Sequence, residues 1–449
     1  MCGSCSQDAQ ANAQAKRTVR TRGTRIPRGY DEMVNDSDPS VAAAPLVVKT
    51  TRVDDIAPFL TLIDPKRPLL FVRRGDGIAG IGTAARLTFR GPTRMSDAAS
   101  AWRELAAEAQ VDDEVRLAGS GLVAFGSFAF ADDSDDESVL IVPRLVLGRR
   151  DGVHWITRIG GVDTLATESA EPTPLGRPFS VRFGTGTFGE AEFGAAVSHA
   201  VEAIERGEVS KVVLARSLEG DLPEGADLRV LAADLAMGYP DTFTFAVDGL
   251  IGSSPETLIS SSKGRITARV LAGSTARGVD AASDAAAALA LATSPKDLDE
   301  HAFALRSLLL SLDAHATDVT TAETPFTLRL PNVWHLATDV AGRLTDGASS
   351  LDLIDSVHPT AAVAGTPTVD ALRAIASLEP FDRGRYAGPV GWLGADGDGE
   401  WAIALRCAQV SPDGRIRAFA GAGIVRESDP AHEIAETTMK FRPIVDALA

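Results

Sequence analysis

The chain has 449 residues and a formal net charge of −17, from 44 Lys plus Arg against 61 Asp plus Glu. That balance excludes general nucleic-acid binding, which needs a basic surface to displace phosphate counterions, and no run of about 18 apolar residues is available to span a bilayer. Hydrophobic residues at 45% exclude wholesale disorder, and three cysteines without a secretory signal give no disulfide framework, so a cytoplasmic protein is expected.

Residues 1–44 are rich in Gln, Ser, Ala and Arg and lack apolar periodicity, which predicts a disordered tail. The tail carries a basic stretch from Lys16 to Arg28 and a lone Cys2/Cys5 pair, too little for a zinc site. From Pro45 onward strand-like and helix-like segments alternate without internal repeats or a Gly/Ser linker, so 45–449 reads as one large domain. Residues 115–148 predict strands around an acidic, solvated loop at 132–137, and 172–178 a connection. Phe193, Val197, Val201 and Ile204 recur at helical spacing before a stop at Gly207. Residues 210–216 predict a strand with Lys211, Val213 and Ala215 on one face. A second strand is expected at 242–247, followed by a hairpin turning at Lys263-Gly264.

Two later helices announce themselves by their starts. Ser294-Pro295 and Asp429-Pro430 each place a capping residue before proline at the first helical position. On the first helix Glu300 borders an apolar stripe of Leu298, Leu305, Leu309 and Leu312. On the second, Glu433, Glu436 and Lys440 share one face, which alone reads as a solvated ion-pair face. Residues 401–409 predict a strand whose Arg406 face otherwise carries Ala402, Ala404 and Ala408. Small neighbours leave room for bidentate capture of a ligand carboxylate. Grouped strands with helices between them suggest an α+β layered fold.

Several motifs fail on inspection. Gly421-Ala422-Gly423 lacks the third glycine of a dinucleotide fingerprint, and His432-Glu433-Ile434-Ala435-Glu436 ends in Glu where a zinc-protease helix needs His. No G-x-S-x-G occurs. What remains is a carboxylate set: Glu300, paired with Glu433 and Glu436, would complete an all-oxygen site of the kind that suits Mg²⁺.

Taken together, the strings resemble the chorismate-utilising enzymes, and within them the isochorismate synthase branch. The resemblance rests on Ser210-Lys211-Val212-Val213-Leu214-Ala215-Arg216, Gly252-Ser253-Ser254-Pro255-Glu256-Thr257-Leu258, Leu271-Ala272-Gly273-Ser274 and Lys296-Asp297-Leu298-Asp299-Glu300-His301. It continues through His335-Leu336-Ala337-Thr338, His358-Pro359-Thr360, the run from Phe381 to Ala408, residues 420–425 and the Glu433/Glu436 helix. These strings appear in the family's order over roughly residues 190–449, and the N-terminal half is similar only loosely. The resemblance implies a single large α+β domain, with packed antiparallel sheets at the centre and helices outside.

It also implies a reaction, chorismate plus water giving isochorismate, with Lys211 as the base that activates water and Glu256 as the acid that protonates the departing hydroxyl. Glu300 and Glu436, supported by Glu433, would hold Mg²⁺. Arg406 and Tyr386 would hold the enolpyruvyl carboxylate with backbone amides at Gly421 and Gly423. Gly273, His335 and Lys440 would complete the pocket. A lysine at 211 separates this branch from the ammonia-using relatives, and no glutaminase partner is expected. Val270 stands where proline commonly precedes Leu-Ala-Gly-Ser, a departure expected to affect a turn. Two rivals share these residues: a salicylate synthase, which goes on to eliminate pyruvate, and a chorismate-binding relative without turnover. The resemblance leaves open whether the product serves menaquinone or a catechol siderophore.

Overall fold

A computed structural model describes residues 45–161, 170–186 and 188–449. The expected N-terminal tail, with its basic stretch and Cys2/Cys5, lies outside the described residues. The described chain from Pro45 forms one compact unit.

Many strands here are apolar on both faces. Every residue of Val123–Ser127, Ser138–Val142, Phe243–Val247 and Leu250–Ser254 is buried, which requires cover on each side of the sheet. Two large sheets provide half of that cover for one another. A single core cluster joins Phe71, Ile78 and Trp155 of one sheet to Phe125, Leu140 and Trp401 of the other. The opposite face of the larger sheet is closed by the helices Leu228–Gly238 and Pro430–Ala447, through Leu231, Leu235, Phe441 and Ile444. The smaller sheet is backed by Pro295–Leu312 and Ser350–Val357. This is the expected α+β arrangement of central antiparallel sheets with helices outside.

The larger sheet has twelve strands. In spatial order its C-terminal portion is Gly365–Thr366, Lys211–Asp221, Arg415–Ile424, Cys407–Val410, Leu250–Ser254 and Phe243–Val247. The rest is Leu69–Arg73, Asp76–Ile81, Leu145–Arg150, Val153–Gly160, Val47–Val53 and Gln110–Asp113. The smaller sheet runs from Ala316–Thr321 through Val333–Leu344, Arg265–Ala276, Thr257–Ser262, Gly399–Ile403 and Pro389–Gly394 to Val123–Ser127, Ser138–Val142 and Ala85–Phe89. Among the described ladders only Val47–Val53 with Gln110–Asp113 is parallel.

Most local expectations hold. The helix Glu190–Glu205 buries Phe193, Val197 and Ile204 and is followed by Gly207 at φ 75°. The hairpin turns at Lys263-Gly264, both with positive φ. Ser294 and Asp429 cap their helices, accepting from the Asp297 amide and from the Ala431 and His432 amides respectively.

Three expectations need correction. Residues 401–409 are not one strand: the chain leaves the smaller sheet after Ile403 and joins the larger one at Cys407, with Arg406 at φ 50° at the corner. The buried stripe of Pro295–Leu312 is His301, Ala304, Leu308 and Leu312, while Leu298, Leu305 and Leu309 are only half-buried. Counting leucines missed a histidine that serves as a core residue. Val270 sits inside the strand Arg265–Ala276, paired with Thr338, so the missing proline affects a ladder and not a turn.

Candidate active site

The site forms where neighbouring chain segments part company between the two sheets. Leu250–Ser254 pairs with Cys407–Val410 in the larger sheet, and their continuations, Thr257–Ser262 and Gly399–Ile403, pair with each other in the smaller one. Between these ladders lie Pro255-Glu256 on one segment and Leu405-Arg406 on the other. The left-handed turn at Arg406 costs a non-glycine residue roughly 1 kcal/mol. It is held by the Arg406 carbonyl accepting from the Ser253 amide at 3.1 Å.

The corner residues are buried and ionisable: Glu256 is 5% exposed and Arg406 7%. Burial pushes the Glu256 carboxyl from the usual 4.5 up to about 8, against the opposing pull of Lys211, Lys440 and Arg406. Glu256 is therefore a protonated acid at neutral pH, able to donate. The Arg406 guanidinium donates to His335 Nε2 at 3.3 Å. Burial, and then the charge of Arg406, hold His335 well below the usual imidazole range, so it is neutral. Its remaining ring hydrogen bond is with the Gly273 backbone. Tyr386, buried and stacked on Phe419 with ring centroids 5.0 Å apart, stands beside this group as a neutral phenol, its pKa raised by burial.

Lys211 opens the strand Lys211–Asp221 and is 4% exposed. Its Nζ donates to Glu300 Oε1 at 2.8 Å. Burial would raise Glu300, but the lysine charge and hydrogen bond outweigh it and leave the carboxyl below its usual range. Gly423 makes this meeting possible: a Cβ there would lie 3.1 Å from both Glu300 Oε1 and Lys211 Cε. At Gly421 a Cβ would lie 2.9 Å from Tyr386 Oη. These glycines pair with Val213 and Ala215, whose amides point to the opposite edge, toward Ala364 and Glu379. The pairs are thus the non-hydrogen-bonded kind, and the amides of Gly421 and Gly423 face the cavity side. The Gly421 carbonyl on that side accepts from Lys440 Nζ at 2.9 Å.

The helix Pro430–Ala447 contributes Glu433, Glu436 and Lys440. Lys440 Nζ lies 2.6 Å from Glu436 Oε1, which also accepts from Ser274 Oγ at 3.2 Å. Glu433 is 5% exposed, and burial followed by the Glu436 charge pushes it up to about 7. Asp297, in the first turn of Pro295–Leu312, is raised by burial and then by the charges of Glu300 and Glu436. Negative charge here exceeds what the local lysines offset, and the donors are all carboxylate oxygens, a set that fits a hard divalent cation. Among the described residues no three His, Cys, Asp or Glu groups stand close enough to enclose a metal ion. Glu300 and Glu436 are paired with lysines instead.

The structure gathers the expected residues around one cavity: all of them line it except Lys211, which stands behind its wall and reaches it through Glu300. Ser274, Lys296, Asp297, Leu405 and Phe419 also line it and had no expected role. Ser274 and Asp297 could have been found from Gly273. With φ 77°, this glycine turns the strand so closely to the helix start that a Cβ would be 3.1 Å from Asp297 Cβ.

Comparison with known proteins agrees with this geometry. The profile of the family described as chorismate binding enzyme matches residues 35–449. A Mycobacterium tuberculosis protein named, provisionally, as the isochorismate synthase MenF is 37% identical over 343 residues, covering 74% of this chain and 87% of the relative. Isochorismate synthase DhbC of Bacillus subtilis is 38% identical over 264 residues, 56% of this chain and 66% of the relative. The solved structure of MenF, the menaquinone-specific isochorismate synthase of Escherichia coli, superposes with a TM-score of 0.75 at 25% identity, covering 91% of this chain and 96% of that one. The chain belongs to the chorismate-binding enzyme family, and within it to the isomerases.

Proposed function

We propose that this enzyme is an isochorismate synthase that converts chorismate to isochorismate with Mg²⁺. The observation that carries this reading is a carboxylic acid kept protonated to about pH 8 in the cavity, with a buried lysine behind the wall that reaches it through Glu300. Binding alone needs neither an acid nor a base.

Chorismate is a dianion and the chain is acidic, so the pocket must present cations of its own. Arg406 is the fork for the enolpyruvyl carboxylate, with the Tyr386 hydroxyl and the Gly421 and Gly423 amides beside it. Neutral His335 accepts from Arg406 and so orients the fork without adding charge. Glu300 and Glu436, with Glu433 in support, are the residues that would hold Mg²⁺; when bound, the ion offsets their charge and attracts the ring carboxylate.

Lys211 takes a proton from water as the oxygen bonds to ring carbon two. The ring double bonds shift, the bond from carbon four to its hydroxyl breaks, and Glu256 protonates that hydroxyl, which leaves as water. One water enters and one leaves, and protons return by exchange with solvent. Because Lys211 Nζ donates to Glu300 here, base action requires that pair to open and the lysine to enter the step as a neutral amine.

Proton NMR of chorismate incubated with the protein and Mg²⁺ tests the reading, since the isomers have distinct ring signals. Isochorismate without pyruvate is the expected result. Stoichiometric pyruvate with fluorescent salicylate would replace this reading by a salicylate synthase, and tight binding without turnover would refute catalysis.

A further inference from the structure

The site explains the cavity face of the strand Lys211–Asp221 but not its edge. Along one side the strand pairs with Arg415–Ile424 over its whole length, from Val212 to Asp221. On the other side Lys211 and Val212 meet Gly365–Thr366 and Glu219 bridges to Gly184, which leaves the stretch from Val213 to Leu218 without a partner strand. Val213 and Ala215 are buried, and their peptide groups on this side have no strand to bond. A buried peptide group left unpaired is costly.

Loop and side-chain groups take the place of the missing strand. The Val213 amide donates to the Ala364 carbonyl at 2.8 Å. The Ala215 amide donates to Glu379 Oε1 at 2.7 Å, and Arg383 Nη2 donates to the Val213 carbonyl at 2.7 Å. Glu379 and Arg383 are bonded to each other, Nη2 to Oε1 at 2.5 Å and Nε to Oε2 at 2.8 Å. Arg383 Nη1 donates to the Val363 carbonyl at 2.9 Å, and the guanidinium lies 4.5 Å from the Phe130 ring centroid. Both side chains are almost wholly buried.

We propose that the Glu379–Arg383 pair is a positioning device for the reaction, a surrogate strand that fixes where Lys211 and Tyr386 stand; this rests on the functional reading above. Val213 and Val363, whose carbonyls Arg383 holds, both line the cavity, and Lys211 is two residues from Val213 on the same strand face. The Tyr386 amide donates to the Arg383 carbonyl at 3.1 Å, so the same residue begins the turn that presents the tyrosine. A buried ion pair is weak support for stability, because apolar residues of similar volume often serve as well. Apolar residues cannot supply an acceptor for the Ala215 amide together with donors for the Val213 and Val363 carbonyls.

Three variants of the full chain test this. Arg383→Lys keeps a cation opposite Glu379, but one ammonium cannot span both the Val213 and Val363 carbonyls. Glu379→Gln keeps an acceptor for the Ala215 amide and removes the charge. Leu140→Ala, fully buried in the smaller sheet and remote in chain position from the site strands, is the stability control. For each, kcat, KM for chorismate, melting temperature and hydrogen exchange of the peptide covering residues 211–217 are measured. Arg383→Lys is expected to lower kcat by about tenfold to a hundredfold with KM within about threefold, and to speed exchange in that peptide. Glu379→Gln should show a smaller loss of the same kind. Leu140→Ala, with a comparable fall in melting temperature, should keep kcat within about twofold. An unchanged kcat in Arg383→Lys, or an equal loss in Leu140→Ala, would overturn the proposal. Failure of both pair variants to fold would do so too, since the pair would then serve stability alone. Wild-type protein without chorismate turnover would overturn the functional reading instead, and the exchange comparison would still decide whether the pair holds the strand.

Discussion

The two ends of the paired sheets share one architecture and bury different chemistry. At the N-terminal end the strands 69–73, 76–81, 123–127, 138–142 and 153–160 enclose Phe71, Ile78, Phe125, Leu140 and Trp155, each at most 1% exposed. At the C-terminal end the strands around Lys211–Asp221 enclose Lys211, Glu256, His335, Arg406 and Glu433. The N-terminal region also buries a charge, Arg94, but satisfies it with the Ala129 and Phe130 carbonyls and Asp132. At the cavity, by contrast, Glu256 and Glu433 are displaced to about 8 and about 7, and groups of like charge face one another. A core that only needs to fill space can be built from shape. Strained protonation states are tolerated where a ligand is to complete them.

The widest separation between the two ends should come from the acid and the base. Lys211→Ala is expected to lower kcat by about a thousandfold or more, and also to lower the melting temperature because it leaves the buried Glu300 without its partner. Turnover near the wild-type rate would move the base elsewhere. Glu256→Gln should lower kcat by about a hundredfold, with KM for chorismate within a few-fold. The sign of its pH dependence follows from the raised pKa. The acid must be protonated to donate, so wild-type kcat should fall above about pH 8, roughly tenfold per unit. That alkaline limb should vanish in Glu256→Gln. Stability moves the same way: the folded carboxyl holds its proton to about 8 and the unfolded one only to about 4.5. Its contribution is complete below pH 4.5, declines as pH rises, and is lost as pH passes 8. Denaturant melts at pH 8 should find Glu256→Gln more stable than wild type by roughly 4 kcal/mol, with the difference nearly gone at pH 4.5.

How much of this was legible in the sequence differs between the two ends. The capped helix starts, the Lys263-Gly264 hairpin and the alternation after Lys211 are local signals, and all are present in the structure. Motif order picked out candidate residues from distant parts of the chain, and the structure brings all but Lys211 to the wall of one cavity. What sequence could not show is the seam between the sheets. Trp401 to Gln409 has strand composition throughout, and nothing local reveals that the ladder splits at Arg406. The same holds for Gly423, whose role is to leave room for a lysine and a glutamate from two other elements. His301 was hidden by the leucines around it, although it bonds Thr338 Oγ1 at 2.7 Å and the Ala272 carbonyl at 3.3 Å and so ties the Glu300 helix to the site strands.

Glu436→Ala sharpens the charge argument. Removing this carboxylate takes away one expected Mg²⁺ donor and leaves Lys440, which it meets at 2.6 Å, bonded to the Gly421 carbonyl without its counter-charge. Mg²⁺ affinity measured by titration calorimetry should fall by about tenfold to a hundredfold. An unchanged affinity would remove Glu436 from the metal reading while leaving Lys211 and Glu256 in place. The loss should be partial, because Glu300 and Glu433 remain.

The smallest effect on catalysis, and the one most able to break the comparison, is expected from Phe125→Ala. Phe125 is fully buried in Val123–Ser127, on the strand next to Pro389–Gly394. Truncating it leaves a cavity and should cost about 3–5 kcal/mol, read by urea denaturation. If the N-terminal end acts as packing alone, the molecules that remain folded should turn over chorismate with kcat within about twofold of wild type, assayed well below the melting temperature. The strand beside it continues through Gly388 and Ala387 to Tyr386, so a path from the cavity in the core to the phenol exists in the chain itself. A fall in kcat out of proportion to the folded fraction would mean that the core transmits strain along that path. The division between a filling end and a reacting end would then be false.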